Sequence, residues 1–240
     1  MTRKKSHQKI LAQLRERRAQ SLKQTAVKPM VKINRNAIKD YLTVKLKESK
    51  RILLLGEGNL SFASFLASND YDIIPTVYDT KEQLLDKYSD AEMHLKTLQD
   101  KYMECLFSID STTLHKYKSI YSKEFDCIVF NFPHVGKGIK DQEYNIKANQ
   151  ELLQSTFQSI SQLNKQVSIC ITLKDKEPYT KWNLKAIAAQ CGYSCQRSCQ
   201  FLPLHFKGYE HRRTAGFKDG KSKGDNEELG KCRTFIFHSK

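Results

Sequence analysis

Residues 51–62 read RILLLGEGNLSF, and they decide how the rest of the chain is understood. Ile52–Leu55 is a short apolar run ended by glycine, the pattern of a strand buried on both faces. It opens into Gly56-Glu57-Gly58, after which Ser61–Leu66 reads as the first turns of a helix. Glycines in such a strand-to-helix turn let the backbone pass close to a ligand, because they lack Cβ and tolerate φ > 0.

A second apolar run, Ile73–Tyr78, ends in Asp79. A carboxylate at that strand end can accept hydrogen bonds from the ribose hydroxyls of an adenosine held over the first turn. The third glycine of a dinucleotide fingerprint is missing, since Ser61 stands in its place. A pyrophosphate needs that close helix approach; a phosphate-free adenosine cofactor such as S-adenosylmethionine does not. The expectation is therefore an adenosine-containing cofactor on the turn Gly56-Glu57-Gly58 and on Asp79.

Outward from this unit the chain alternates strands and helices. Further strands are expected at Glu104–Ile109, Phe125–Phe130, Val167–Leu173, Tyr193–Phe201 and Arg233–His238. Helical stretches lie between them, the longest at Ile146–Leu163. That succession predicts a doubly wound, Rossmann-like α/β domain over residues 46–240. Its sheet would be mostly parallel and seven-stranded, with an antiparallel last strand.

The composition is strongly basic, 41 Lys+Arg against 26 Asp+Glu for a net charge of +15. Residues 1–35 alone carry eleven Lys/Arg against Glu16. Residues 1–45 therefore read as a basic, flexible arm, and the whole charge pattern as suited to a polyanion such as RNA. No segment approaches the ~20 apolar residues of a spanning helix, and the N-terminus lacks the apolar core of a secretory signal. Seven cysteines suit a reducing compartment. Cys191, Cys195 and Cys199 recur every four residues, but Gly192 interrupts them and no Cys-x-x-Cys occurs, so no metal site is expected. A lone basic domain acting on RNA needs no partner subunit, and a monomer is expected.

The segment 202–231 is long for a connection, about 30 residues, and such loops usually have a function. In it, His205, Lys207, Tyr209, Arg212 and Arg213 interleave rings with cations, which suits stacking on unpaired bases and pairing with phosphates. A second motif follows the strand ending at Phe130: Asn131-Phe132-Pro133-His134. Proline stiffens the turn, and an Asn before a Pro with a nearby ring suits the gripping of a flat base. In that reading the Asn oxygen and a backbone carbonyl accept from the target N–H. Asp110, at the end of the third strand, has two open readings: an acceptor for the adenine amino group, or a cap for the helix beginning near Thr113.

Taken together, GEGNLSFA, TVYDTKEQL, FDCIVFNFPHVGKG, the run ending in Ile146–Asn149, ITLKDKEPYTKWN and GYEHRRT resemble the fungal 25S ribosomal-RNA uridine-N3 methyltransferases. The resemblance covers roughly residues 50–217, with its segments in the expected order. It implies a class I methyltransferase fold and S-adenosylmethionine as methyl donor. It also implies a nucleolar enzyme working on ribosomal RNA in a pre-ribosomal particle, with N3 of one large-subunit uridine as the target. Carried over by position, Asn131, Phe132, Pro133 and His134 match the NFPH turn. Lys174, Pro178, Tyr179 and Trp182 match a turn where substrate enters. By the same carry-over Gly56, Glu57, Gly58 and Asn59 form the cofactor turn, with Asp79 the ribose acceptor, and Asn59 departs from the more usual Asp. The resemblance assigns no catalytic base; His134 is open as a base for the weakly acidic N3 of uracil or simply as a hydrogen-bond donor. Two other readings stand beside the enzyme: an RNA-binding assembly factor with a degenerate cofactor fold, and a dinucleotide oxidoreductase, which the missing glycine and the charge oppose.

Overall fold

The computed structural model describes residues 41–163, 166–213, 226 and 229–240. Helix α1 (Tyr41–Glu48) opens the described chain, followed by β1 (Ile52–Leu55), α2 (Ser61–Ser68) and β2 (Ile73–Pro75). Next come α3 (Lys81–Lys87), α4 (Ala91–Asp100), a 3-10 turn at Ser111–Lys116, α5 (Lys118–Tyr121), β3 (Cys127–Asn131) and α6 (Gln142–Ile160). The last part holds β4 (Ser168–Lys174), α7 (Leu184–Gln190), β5 (Tyr193–Gln200) and β6 (Cys232–Ser239).

The sheet order is β2-β1-β3-β4-β6-β5. β1, β2, β3 and β4 pair in parallel, and β6 runs antiparallel between β4 and β5. This is the doubly wound, mostly parallel α/β fold with an antiparallel final strand that the sequence predicts. Among the described residues the regular strands number six rather than seven. The expected third strand lies against β2 but forms only a bridge, Thr76 to Leu106. Backbone bonds from Leu106 N to Pro75 O and from Ile109 N to Val77 O hold it there. Ser108 between them has φ +56°, a left-handed residue that breaks the extended run.

Two further expectations are corrected. Residues 41–45 do not belong to an arm, because Leu42 and Leu46 lie one helical turn apart and are fully buried in the core. The charged residues around them hide that two-residue stripe in a composition count. Residues 1–40, which carry most of the basic excess, lie outside the described residues, as do Lys218, Lys221 and Lys223. The second correction concerns residues 202–213. Two of their rings turn inward: Phe206 and Tyr209 are 2% and 8% exposed, and Phe206 packs on Phe62, Phe65 and Phe201. No helix among the described residues is long and apolar enough to cross a membrane.

Candidate active site

The strand order reverses direction at β1 and β3, so the connections leave them toward opposite sides and a crevice opens at their carboxyl ends. A cleft of about 500 Å³ occupies it. Gly56, Glu57, Gly58, Asn59, Asp79, Asp110, Asn131, Phe132, Pro133 and His134 all line this one cleft. Tyr209 and Arg212 reach it from the far side.

The first wall is the turn after β1. Gly56 has φ +58°, and a Cβ there would lie 2.7 Å from a ring carbon of Phe130. Gly58 is roomier; its nearest neighbour would be Arg212 Cβ at 3.5 Å. The Glu57 carboxylate tucks back under α2 and accepts from Ala63 N at 3.1 Å. Burial raises its pKa to about 7, against the opposing pull of that N–H. Asn59, buried, spans the turn: Oδ1 accepts from Ser61 N and Oγ, and Nδ2 donates to Asp90 Oδ2 at 2.8 Å.

Ser61 shows why the third glycine is absent. Glu210 N donates to Ser61 Oγ at 3.0 Å, so the serine ties residues 205–213 across the turn. Arg212 bonds Asp90 and also Glu210, and its side chain is only 8% exposed. Tyr209 and Arg212 are therefore packing and pairing groups of the cleft, not an open surface for RNA. Interleaved rings and cations read the same in sequence for either use; only the buried partner Asp90 distinguishes them. His205, Lys207 and Arg213 remain on the outer side, and none of them lines the cleft.

Asp79 sits just before α3, whose capping box pairs Thr80 with Gln83 in both directions. One carboxylate oxygen holds Lys87 Nζ at 2.6 Å. Asp110 caps the following 3-10 turn, accepting from Thr112 N at 2.8 Å and Thr112 Oγ1 at 2.7 Å. The capping reading is thus realised, with the carboxylate still at the cleft wall.

The opposite wall is the turn after β3. Phe132 has φ +52° directly before Pro133, where the backbone normally stays extended. Three bonds hold this strained turn. Phe132 N donates to Thr172 O at 2.8 Å, Thr172 Oγ1 donates to Asn131 Oδ1 at 2.8 Å, and Val135 N donates to Asn149 Oδ1 at 3.0 Å. Asn131 Nδ2 is buried with no partner among the described residues. Gly136 N donates to His134 Nδ1 at 2.9 Å, and burial lowers the imidazole pKa. A neutral imidazole that accepts at Nδ1 carries its proton on Nε2. Thr172 and Asn149, neither of them a candidate from the sequence, are what position this turn.

Trp182 is buried, 1% exposed, with its ring 6.0 Å from that of His134. It supports the second turn from behind and has no face for RNA. Lys174 and Tyr179 border a separate depression with Asp175 and Arg233. Burial raises the Tyr179 pKa, and the nearby Arg213 guanidinium opposes the rise. No cluster of three or more metal-ligating side chains occurs among the described residues.

Residues 53–213 match the family described as BMT5-like, rRNA (uridine-N3-)-methyltransferase BTM5-like. The chain belongs to this family. The matched span runs from β1 through Arg213, so it takes in both walls of the cleft and the segment tied across it. Among curated relatives of this BMT5-like chain, the 25S rRNA (uridine(2634)-N(3))-methyltransferase of Saccharomyces cerevisiae is 31% identical, covering 72% of this chain and 68% of the yeast protein. Heavy metal-associated isoprenylated plant protein 41 of Arabidopsis thaliana is also 31% identical over 88% of this chain, but the chain spans only 42% of its length. The solved structure of NSun6 from Pyrococcus horikoshii with SFG superimposes with a TM-score of 0.50 at 13% identity, covering 82% of this chain and 50% of that one. That likeness concerns the fold alone.

Proposed function

We propose that this BMT5-like chain transfers a methyl group from S-adenosylmethionine to N3 of a uridine in large-subunit ribosomal RNA. The observation that carries the reading is that the glycine turn and the NFPH turn face one another across a single cleft. The cleft fits the cofactor's adenosyl end: the positive-φ Gly56 turns the backbone along the cleft wall, and Asp79 keeps one carboxylate oxygen that Lys87 does not hold. Gly56, Glu57, Gly58, Asn59, Asp79 and Asp110 would hold that cofactor, which supplies an electrophilic methyl on a positively charged sulfur.

The protein's own contribution is placement. Asn131 and His134 face the target base, which has to leave its stack or lie in a loop for its Watson–Crick edge to enter. Lys207, His205 and Arg213, with the basic residues 1–35, supply salt-sensitive contacts to the RNA backbone. An enzyme acting on pre-ribosomal RNA would work in the nucleolus, and that is the compartment this reading implies. The test is incubation with labelled cofactor and an unmodified large-subunit rRNA transcript, followed by nucleoside analysis. The expected product is 3-methyluridine. Another methylated nucleoside, or no transfer by protein that binds S-adenosylhomocysteine, rejects the assignment and in the second case favours a non-catalytic assembly factor.

A further inference from the structure

At the wall of the cleft the NFPH turn carries two side-chain N–H donors, Asn131 Nδ2, buried and unpartnered among the described residues, and His134 Nε2. We propose that Asn131 Nδ2 and His134 Nε2 donate to the two carbonyl oxygens flanking N3 of the target uracil, holding the ring as its N3 anion, and that neither residue takes the N3 proton. This rests on the uridine-N3 reading above and assigns roles within it.

Ring geometry supplies the first argument. The N3 lone pair freed by deprotonation lies in the plane of uracil, along the direction of the former N–H bond. The methyl carbon has to approach along that same line. A protein acceptor bonded to N3–H, the arrangement the sequence alone suggested for the Asn131 oxygen, would stand where the methyl must arrive. The edges left for the protein to hold are the carbonyls at C2 and C4, and both are acceptors. A site for this reaction therefore needs donors on either side of the reacting nitrogen, aimed at oxygens onto which the negative charge spreads.

The cleft has that inventory. Thr172 Oγ1 engages Asn131 Oδ1, and Nδ2 is buried without an acceptor among the described residues. Turning the amide over would leave an acceptor as the orphan instead, and the ring geometry argues against it. A buried donor left without an acceptor destabilises the wall that holds it. A carbonyl that presses into the wall recovers that cost. On His134, Gly136 N–H occupies Nδ1, which fixes the neutral ring's proton on Nε2. An Nε2 that already bears hydrogen cannot accept another, and protonation at Nδ1 would set a donor against a donor.

The chemistry balances without a protein base. N3–H gives its proton to solvent hydroxide, leaving the bonding pair on N3. That pair forms the new bond to the methyl carbon while the carbon–sulfur bond breaks and its electrons stay on sulfur. The products are neutral 3-methyluridine and a neutral thioether. The same donor pair rejects cytidine, whose C4 amino group would meet a donor head-on.

The experiment compares Asn131→Asp, Asn131→Ala, His134→Gln and His134→Phe with wild type on an unmodified large-subunit rRNA transcript. It reads kcat and KM across pH 6–9, with S-adenosylhomocysteine titration to show that each variant keeps its fold and cofactor site. Asn131→Asp, an isosteric acceptor, should lower kcat by about 100-fold or more with little change in KM. His134→Gln, which puts an amide donor near Nε2, should recover at least tenfold of what His134→Phe loses, and the wild-type rate should keep rising above the histidine range. Asn131→Asp as active as wild type, or His134→Gln as inactive as His134→Phe with a wild-type rate that levels off at a histidine pKa, overturns the proposal. Those results leave 3-methyluridine as the wild-type product. Methylation of a different atom by wild type instead overturns the uridine-N3 reading and the donor assignment with it.

Discussion

The two turns that wall the cleft sit at the ends of adjacent parallel strands, β1 and β3, yet they are specified in opposite ways. The turn after β1 works by absence: Gly56 has no Cβ because the Phe130 ring leaves no space for one. The turn after β3 works by addition. Phe132 occupies a backbone region that a bulky residue avoids, and Thr172 and Asn149 pin it there from β4 and α6. A turn made by omission concerns its own residues and one neighbour. A turn made by external bonds depends on partners that arrive late in the chain. The first should therefore fail through strain, and the second through loss of orientation.

The largest effect is expected at Gly56. Gly56→Ala puts a methyl 2.7 Å from the Phe130 ring at φ +58°, combining left-handed strain with overpacking, for a cost of about 2–5 kcal/mol. Thermal unfolding and titration with S-adenosylhomocysteine should both register it. Gly58→Ala is the internal control. Its Cβ meets only ordinary contacts and its φ is not positive, so stability should change by less than about 1 kcal/mol. Equal losses at the two glycines would break the comparison.

Glu57 comes next, and pH is the lever. Its folded pKa of about 7 stands above the usual value of 4.5. Between those values the unfolded chain ionises while the folded carboxyl keeps its proton, so this group's contribution to stability falls as pH rises through the window. The ceiling is about 3 kcal/mol, from 1.36 kcal/mol per unit. Glu57→Gln should leave stability near pH 5 little changed and raise it relative to wild type by pH 7.5. A Tm difference that stays flat across that range counts against a buried, proton-holding carboxyl.

How much of this was legible beforehand follows the same division. The β1 turn, Asp79 and the NFPH turn are local patterns, and the chain spells them out. Asn131 reads as a cleft residue, but the donor to its oxygen, Thr172, lies 41 residues further on, where no local pattern shows it. Residues 205–213 mislead for the same reason: Arg212 is indistinguishable from an RNA contact until Asp90, 122 residues earlier, is seen beneath it. Leu42 and Leu46 are only two apolar positions in a charged run. Ser108 gives no local sign of the left-handed kink that shortens the third strand.

On the second wall, Thr172→Val keeps the shape of β4 and removes the bonds of Oγ1 to Asn131 Oδ1 and to Thr234 Oγ1. The cost should be about 1–3 kcal/mol, through two oxygens left without that partner. Turnover on RNA should fall while S-adenosylhomocysteine affinity stays near wild type, since Thr172 does not touch the glycine turn. A parallel loss of cofactor affinity would mean that the two turns are coupled rather than separately specified.

The smallest effect, and the sharpest contrast with Glu57, is the acid response of His134. Burial lowers its pKa from the usual 6.5, so at pH values just below 6.5 the unfolded chain binds a proton that the folded ring does not. Its contribution is therefore present above pH 6.5 and lost as pH falls below it, opposite in direction to Glu57. The Gly136 N–H pointing at Nδ1 reinforces this, because a proton added there would face another hydrogen. His94 and His238 are also lowered by burial and act in the same range, so the wild-type curve alone does not isolate His134. The difference between wild type and His134→Gln does. Between pH 7.5 and 5.5 the variant should lose less Tm than wild type. Parallel curves would mean that the ring takes up its proton in the folded protein as readily as in the unfolded chain, and that the turn after β3 leaves the imidazole open to solvent.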